Sequence, residues 1–255
     1  MSESESTSWL KSFRRFYSPR RHTALLVAIV AFLAARPLIG EARAATALYS
    51  LALVALLIVA LYTIQVEELV GERQKLLAEK RRRTIVGWSL AGAVFVERGL
   101  TLLWPTHAFF LIAAFFYLLF FGFVAWQELR AVIRQRTITA ETISMSISVY
   151  LLMGIAWGLL YVVIYLRHPG AFSFPGSNVS LTSEAVFPTL IYFSLTTIST
   201  IGFGDITPAI IQARYAAVAE GITGQFYMAI LVARLVGIYM SETKGREVSR
   251  SGTDP

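Results

Sequence analysis

Long apolar runs without charge constrain this chain more than any other feature. The run Ala44–Val66 holds 23 residues and no charged side chain, more than the roughly 20 that an α-helix needs to cross about 30 Å of hydrocarbon. Comparable runs recur along the 255 residues, of which 56% are hydrophobic and 15% charged. Soluble domains carry about 25% charge, and the mean hydropathy here is +0.60. We therefore expect an all-α integral membrane protein.

Six spans and one shorter re-entrant segment account for the apolar runs. The run Ala185–Gly204 is uncharged but rich in Ser and Thr and ends in Gly-Phe-Gly-Asp, which favours a segment that enters and leaves on one side of the membrane. The predicted spans are 23–39, 44–66, 85–104, 106–126, 142–166 and 210–239. They divide the chain into an N-terminal segment (1–21), a four-helix bundle (22–126), a linker helix (127–141), a second helical unit (142–240) and a tail (241–255).

Basic residues lie mostly on one side of these spans. Seventeen of the 23 Lys and Arg residues fall in the N-terminal segment, the loop after the second span, the linker and the tail; four lie on the other side, namely Arg36, Arg43, Arg167 and Arg214. The positive-inside rule then places both termini in the cytoplasm. The net charge of +7 is accounted for by topology, so no nucleic-acid partner is expected. For the first span, a signal peptide ending at Ala42-Arg43-Ala44 is the alternative.

Composition also limits the chemistry. With no Cys and three His, thiolate metal sites and cysteine nucleophiles are excluded. No span or loop gathers a nucleophile, a base and an orienting group. We expect neither an enzyme nor a cofactor.

The stretch Tyr192–Pro208, YFSLTTISTIGFGDITP, is the most specific motif. Backbone carbonyls can all point at one axis only if alternate residues adopt angles open mainly to glycine, and Gly202 and Gly204 have that spacing. The stretch resembles the selectivity filter of potassium channels. An isolated Gly-x-Gly is common, whereas T-x-x-T-I-G-F-G-D after a short uncharged helix and between two spans is a strong signal.

This resemblance implies a potassium-selective channel whose pore domain is residues 142–240, with an outer helix, a pore helix, the filter and an inner helix. One chain supplies one filter loop, so four identical chains would surround the pore. The permeant K⁺ would bind the backbone carbonyls of Thr200, Ile201, Gly202 and Phe203, and the lipid bilayer and other copies of the chain would be its partners, with no soluble partner evident. The short tail favours a prokaryotic plasma membrane.

The resemblance also assigns supporting roles. Ile201 and Phe203 should turn away from the ions, and Asp205 would stand at the outer mouth beyond Gly204, as a cation attractor and a brace. Tyr192 and Phe193 match an aromatic cuff, and Thr196 stands where many relatives have a glutamate. The pore helix, which ends near Ile198 after Thr197, should aim its carbonyls and its negative pole at a water-filled cavity. Phe203 replaces a commoner tyrosine, which removes one hydroxyl hydrogen bond.

Two glycines and several charges lie within predicted spans. Gly224 and Gly221 match a gating hinge of the inner helix, with close helix packing as the alternative for each. Glu220, near them, is predicted to bond a pore-helix hydroxyl such as that of Thr196 or Thr197, with a protonation-linked gate as the alternative. For Glu97, Arg98 and Arg36 a structural ion pair in the bundle is favoured over a sensor, and Arg234 should lie at the cytoplasmic end of the inner helix.

Span four contains no arginine, so we expect little voltage dependence. Three other functions fit parts of the sequence. A non-selective cation channel would follow if the packing of Phe203 is loose. A transporter would show paired broken helices, whereas one such segment is visible. A non-conducting regulatory subunit would not need both filter glycines.

Overall fold

The computed structural model of the chain describes residues 21–39, 52–63, 85–93, 96, 107–135, 137–174 and 183–251. These residues belong to two compact units, 1–91 and 92–255. In the first, α1 spans Arg21–Ile39 and α2 spans Ala52–Thr63; residues 85–93 form α3, which reaches the boundary between the units. Apolar side chains one helical turn apart, Leu25, Ile29 and Phe32, are buried along one face of α1. The side chains of Arg36, Glu97 and Arg98 lie outside the described residues.

In the second unit, the described residues from 107 onward form four helices and one short pair of strands. Helix α4 spans His107–Arg134, α5 Ala140–Arg167, α6 Ser183–Ile198 and α7 Ile211–Ser251. Strands β1 (Phe172–Ser173) and β2 (Thr207–Pro208) pair antiparallel. Among the described residues, three helical stretches are long and apolar enough to cross a membrane: Phe109–Arg134, Ala140–Arg167 and Ile211–Met240. The chain is therefore an integral membrane protein, as predicted.

The predicted linker helix over 127–141 is not a separate element. Residues 127–134 continue α4, and the chain turns only at 135–139 before α5 begins. Thr139 fixes that turn, because its hydroxyl accepts a hydrogen bond from Thr142 N–H at 3.2 Å while the Thr142 hydroxyl accepts one from Thr139 N–H. The helix continues past 126 because Val132 is buried against Met145 and Val149 of α5, which gives the polar stretch an apolar face to pack.

Helices α5 and α6 pack closely through two glycines. A Cβ built on Gly158 would lie 2.9 Å from Ile191 Cα, and one built on Gly154 would lie 2.7 Å from Leu195 Cδ2. Small residues four apart let two membrane helices approach to backbone contact. The pore-helix segment is thereby held against α5.

Two sets of contacts tie the ends of these helices together. At the end of α5, Ala209 N–H donates to Ala171 O at 2.8 Å beside the strand pair, which anchors the chain just after the predicted filter. At the opposite end, Arg234 of α7 donates to Gln135 O at 2.7 Å and also to Ile133 O. A cation is favourable at a helix C-terminus, so α7 is fastened to the end of α4.

Helix α7 leaves much of its surface bare in the single chain. Its exposed apolar side chains recur roughly every four residues and include Ile211, Tyr215, Val218, Ile222, Phe226 and Ile230. Burial of such a face against other apolar groups, protein or lipid, is favourable. We therefore expect the exposed apolar face of α7 to be covered by lipid or by another protein surface.

Candidate functional site

Helix α6 ends in a tight turn immediately before the predicted filter. Thr200 N–H donates to Thr197 O at 3.0 Å, and Ile201 N–H donates to Thr196 O at 2.9 Å. This pair of bonds closes many helices and places a left-handed residue, usually glycine, at the turn. Thr200 occupies that position here, with φ at 61°.

The last carbonyls of α6 accept hydrogen bonds from within the chain. Leu195 O accepts a hydrogen bond from Ser199 N–H at 3.2 Å, and the carbonyls of Thr196 and Thr197 accept the two bonds of the turn. Ile198 O accepts one from the Tyr150 hydroxyl of α5 at 2.9 Å. The prediction that these carbonyls face a water-filled cavity concerns an assembly of several chains, and it stays a prediction. The negative pole of the helix dipole still lies at this end.

Left-handed backbone alternates along the segment from 200 to 204. The φ angles are 61° at Thr200, 53° at Gly202 and 79° at Gly204. No atom lies within 4 Å of a Cβ built on either glycine, so the backbone angle rather than crowding requires glycine there. A left-handed residue with a side chain costs roughly 1–2 kcal/mol, and such strain clusters at functional sites.

The side chains between the left-handed residues have no packing partner on most of their surface. Ile201 is 58% exposed and Phe203 is 69% exposed. Side chains this apolar are normally covered in a folded protein. The packing that the sequence predicted behind the filter is thus not supplied by this one chain.

Asp205 is braced by the helix that precedes it. Its Oδ2 accepts a hydrogen bond from the Tyr192 hydroxyl at 2.8 Å, and its Oδ1 accepts one from Ile206 N–H at 3.1 Å. The bond to the carboxylate raises the pKa of the Tyr192 phenol, so the tyrosine remains a donor at neutral pH. Tyr192, predicted as part of an aromatic cuff, thus contacts the residue predicted at the mouth.

The other predicted support residues face inward or toward their own helix. Phe193 is buried, and its ring lies edge-on to Tyr161 and Phe172, with centroids 5.1 and 5.3 Å apart. The hydroxyls of Thr196 and Thr197 both donate to Phe193 O, at 2.9 and 2.8 Å. These two threonines therefore satisfy the helix backbone.

Glu220 of α7 is fully buried within the single chain. Its Oε2 accepts a hydrogen bond from the Tyr161 hydroxyl of α5 at 2.6 Å, and its Oε1 accepts a short one from the Ser194 hydroxyl of α6. The sequence predicted that Glu220 bonds a hydroxyl of this helix, such as that of Thr196 or Thr197. A hydroxyl of α6 does bond Glu220, but it belongs to Ser194. The hydroxyls of Thr196 and Thr197 donate to Phe193 O instead, so they are not the partners of Glu220.

The two hinge candidates differ in their surroundings. A Cβ on Gly224 would lie 2.7 Å from Ile198 O, the carbonyl that Tyr150 also bonds, whereas a Cβ on Gly221 would have no neighbour within 4 Å. Close packing therefore accounts for Gly224. Within the described residues of the single chain, nothing packs against Gly221.

The sequence analysis missed five residues that position this site. Tyr150, Tyr161 and Ser194 make side-chain bonds over 26 to 59 residues of sequence, and no local spacing indicates such pairs. Gly154 and Gly158 did carry a signal, because Gly-x-x-x-Gly in an apolar helix is typical of helix contact.

Residues 149–241 match the protein family described as "Ion channel". Over 72 residues the chain is 36% identical to the potassium channel protein kcv of Paramecium bursaria Chlorella virus 1, an alignment that covers 28% of this chain and 77% of the viral protein. It is 28% identical over 87 residues to protein LctB of Bacillus caldotenax, covering 34% of this chain and 64% of LctB, just under two thirds. No solved structure matches.

The apolar helices define an integral membrane protein, and the matched region contains α6, the segment from 200 to 205 and most of α7. The chain belongs to the ion channel family.

Proposed function

We propose that four copies of this chain form a channel that conducts K⁺ passively across the membrane, with the backbone carbonyls of Thr200, Ile201, Gly202 and Phe203 as the ion ligands. The observation that carries this proposal is the left-handed backbone at every second residue from 200 to 204. In an ordinary strand successive carbonyls point to opposite sides. A left-handed residue at alternate positions reverses every second peptide, which turns the carbonyls toward one axis.

Such a row of carbonyls replaces the hydration shell of a cation. Selectivity then follows from the spacing, number and field strength of the oxygens. The name of the viral relative, a potassium channel protein, supports K⁺ as the ion. Asp205, held by Tyr192 at the next position along the chain, would raise the local cation concentration in a ring of four carboxylates.

The tetramer follows from what one chain lacks. One segment from 200 to 204 would approach a cation from one side, and a cation needs oxygens all around it. Ile201 and Phe203, exposed in the single chain, would pack against the pore helix of a neighbouring copy. The bare face of α7 would line the cavity and the contacts between subunits.

Gating by voltage is expected to be weak. Helix α4 carries no basic residue before Arg130 other than His107 at its start, and each charge that crosses the field contributes only about 2.3 kcal/mol per 100 mV. We place both termini in the cytoplasm, because basic residues are concentrated on one side of the predicted spans.

The test is the reversal potential of purified protein in a planar bilayer, with K⁺ on one side and Na⁺ on the other at equal ionic strength. We expect a potential near the potassium limit, lost in Gly202→Ala and kept in Gly122→Ala. At both glycines an added methyl group would meet no other atom within 4 Å, but only Gly202 has a left-handed φ. The pair therefore isolates backbone conformation from crowding.

A non-selective cation channel is the second candidate, favoured by the exposure of Phe203 and by its lack of a hydroxyl. A reversal potential near zero, with a current that Gly202→Ala removes, would replace the potassium proposal by this one. Absence of current at any voltage or pH, from protein that is folded, would contradict both and favour a regulatory subunit.

A further inference from the structure

A groove of about 540 Å³ lies between the ends of α4 and α5, away from the segment from 200 to 205. Its volume is within the roughly 300–1,000 Å³ typical of ligand sites. The wall is apolar and is built by Leu111, Ile112, Phe115, Phe116, Val163 and Ile164. Ile112 and Phe115 are 45% and 50% exposed, so the groove is open along its α4 side.

One end of the groove is polar and positive. Arg167, the last residue of α5, lines it together with His168 and Gln212. No acidic side chain is among the described residues of the lining, so the guanidinium charge faces the groove uncompensated there. Gln212, in the first turn of α7, adds a neutral amide donor.

The groove follows the direction in which α4 and α5 cross the membrane. Val163 lies four residues before Arg167, about 6 Å deeper at 1.5 Å per residue, and Phe116 lies nine residues after His107, about 14 Å from the start of α4. The positive end is thus at headgroup level and the apolar end in hydrocarbon. This is the side of the membrane where β1 and β2 pair, just beyond Asp205.

We propose that this groove binds one anionic phospholipid, with an acyl chain against the apolar wall and the phosphate at Arg167. Guanidinium groups bind phosphate oxygens through paired hydrogen bonds, and such charge-assisted bonds are roughly twice as strong as neutral ones. A second copy of the chain would cover the apolar wall but would leave Arg167 without a counter-charge. An anionic phospholipid would cover the apolar wall with its acyl chain and pair its phosphate with Arg167.

Hydrogen bonds connect the polar end of the groove to the residues just after the predicted filter. His168 O accepts a hydrogen bond from Ala171 N–H, and Ala171 O accepts one from Ala209 N–H, both at 2.8 Å. A headgroup at Arg167 therefore lies at the start of a short chain of contacts that ends just after the segment from 200 to 206. Lipid in the groove is expected to stabilise that connection.

The test is native mass spectrometry of the purified full-length chain in detergent, titrated with dioleoylphosphatidylglycerol or dioleoylphosphatidylcholine. We expect the anionic lipid to bind roughly fivefold more tightly than the zwitterionic one, the factor that one basic residue near the surface provides. Arg167→Gln should abolish this preference. Arg134→Gln, at the opposite end of α4 and outside the groove, should preserve it.

A second pair of variants tests the apolar wall. Val163→Trp should fill the groove and weaken binding of both lipids, whereas Ile147→Trp, on an exposed face of α5, should not. If Val163→Trp lowers the melting temperature, Ile112→Trp on the open α4 side takes its place.

Equal affinity of the parent protein for the two lipids would overturn the preference for an anionic lipid. Unchanged affinity for both lipids in Arg167→Gln would overturn the assignment of the phosphate to Arg167. Retained binding in both groove variants would overturn the site, and so would a change in oligomer mass, which would indicate that another copy of the chain covers the wall. Lipid binding is read here by mass without any current, so these results are independent of the proposed potassium conduction.

Discussion

The Tyr161 hydroxyl donates a 2.6 Å hydrogen bond to Glu220, 59 residues further along the chain. Because Ser194 also bonds that carboxyl group, three helices meet at one buried polar cluster: α5 by Tyr161, α6 by Ser194 and α7 by Glu220. A buried polar group left without its partner costs about 1–3 kcal/mol. The cluster therefore fixes α6 against α5 and α7.

Tyr161→Phe is expected to lower the stability of the purified protein by about 1–3 kcal/mol, because one carboxyl oxygen of Glu220 loses its donor. This corresponds to a fall in Tm of several degrees, at roughly 2–4 °C per kcal/mol. Tryptophan fluorescence during heating measures it. Tyr215→Phe, at an exposed tyrosine of α7, is the control and should leave Tm unchanged. Equal values for both variants would show that the bond is not formed.

Replacing Glu220 itself separates its hydrogen bonds from its charge. Glu220→Gln keeps an oxygen for Tyr161 and an amide that can donate to Ser194. The single hydroxyl hydrogen of Ser194 is then released from residue 220 and can go to Gly154 O, which lies 2.6 Å away. We expect it to fold and conduct like the parent, and Glu220→Ala to lose about 2–5 kcal/mol through the cavity and the unpaired hydroxyls. If Glu220→Gln is as damaging as Glu220→Ala, the charge rather than the hydrogen bonds is required.

Local residue spacing, in α6 and in the segment that follows it, was enough to predict part of this site. The alternation of glycines at 202 and 204 predicted left-handed backbone, which both residues have, and the uncharged run before it predicted a short helix, which ends at Ile198. Thr200 shares that backbone although it is not glycine. Its conformation is set by the hydrogen bonds of the helix-closing turn, which residue type alone does not reveal.

Contacts between helices could not be predicted in the same way. Which hydroxyl of α6 reaches Glu220 depends on how α6 is rotated against α7, and that rotation is set by Gly154, Gly158 and Gly224 packing against neighbouring helices. A rotation of 100° per residue exchanges one partner for another. The chemistry of the partner was therefore predictable, and its residue number was not.

Gly224→Ala and Gly221→Ala should behave differently. The methyl group at 224 would meet Ile198 O at 2.7 Å and displace the end of α6, at a cost of about 1–3 kcal/mol. If α6 is the pore helix as proposed, the selectivity for K⁺ in the bilayer should be lost as well. At 221 the methyl group meets nothing, and alanine stabilises a helix by up to about 1 kcal/mol over glycine. A change of open probability in Gly221→Ala alone, with selectivity kept, would identify that residue as a hinge.

Alanine substitutions at Gly158 and Gly154 of α5 should lower Tm by different amounts. Gly158→Ala would place a methyl group 2.9 Å from the backbone of Ile191, which cannot move without shifting α6, whereas the methyl group of Gly154→Ala would meet the movable end of Leu195. We expect Gly158→Ala to lower Tm more than Gly154→Ala. Gly122→Ala on α4 should have no effect, because nothing lies near its Cβ. The reverse order for the first two would contradict the packing of α6 on α5.

Asp205 accepts the hydrogen bond of Tyr192, and the proposed function also places its charge at the outer mouth of the pore. Substitution can separate these two contributions. Asp205→Asn removes the charge, so single-channel conductance should fall most at low ionic strength, where the screening length grows from about 10 Å at 0.1 M to about 30 Å at 0.01 M. Tyr192→Phe keeps the charge and removes the 2.8 Å bond. It should preserve the salt dependence of conductance and shorten the time for which the channel stays conducting.

Recordings of both variants in about 10 mM and about 1 M KCl, which span the range of screening lengths, make this comparison. Because the bond to Asp205 raises the pKa of Tyr192 above its ordinary value of 10.0, the brace is present at neutral pH and is lost only as the pH rises through that higher value. The parent channel at strongly alkaline pH should therefore come to resemble Tyr192→Phe, whose own behaviour should not change over the same range. Salt dependence in Asp205→Asn equal to that of the parent would show that the carboxylate acts on the filter segment only through its hydrogen bonds.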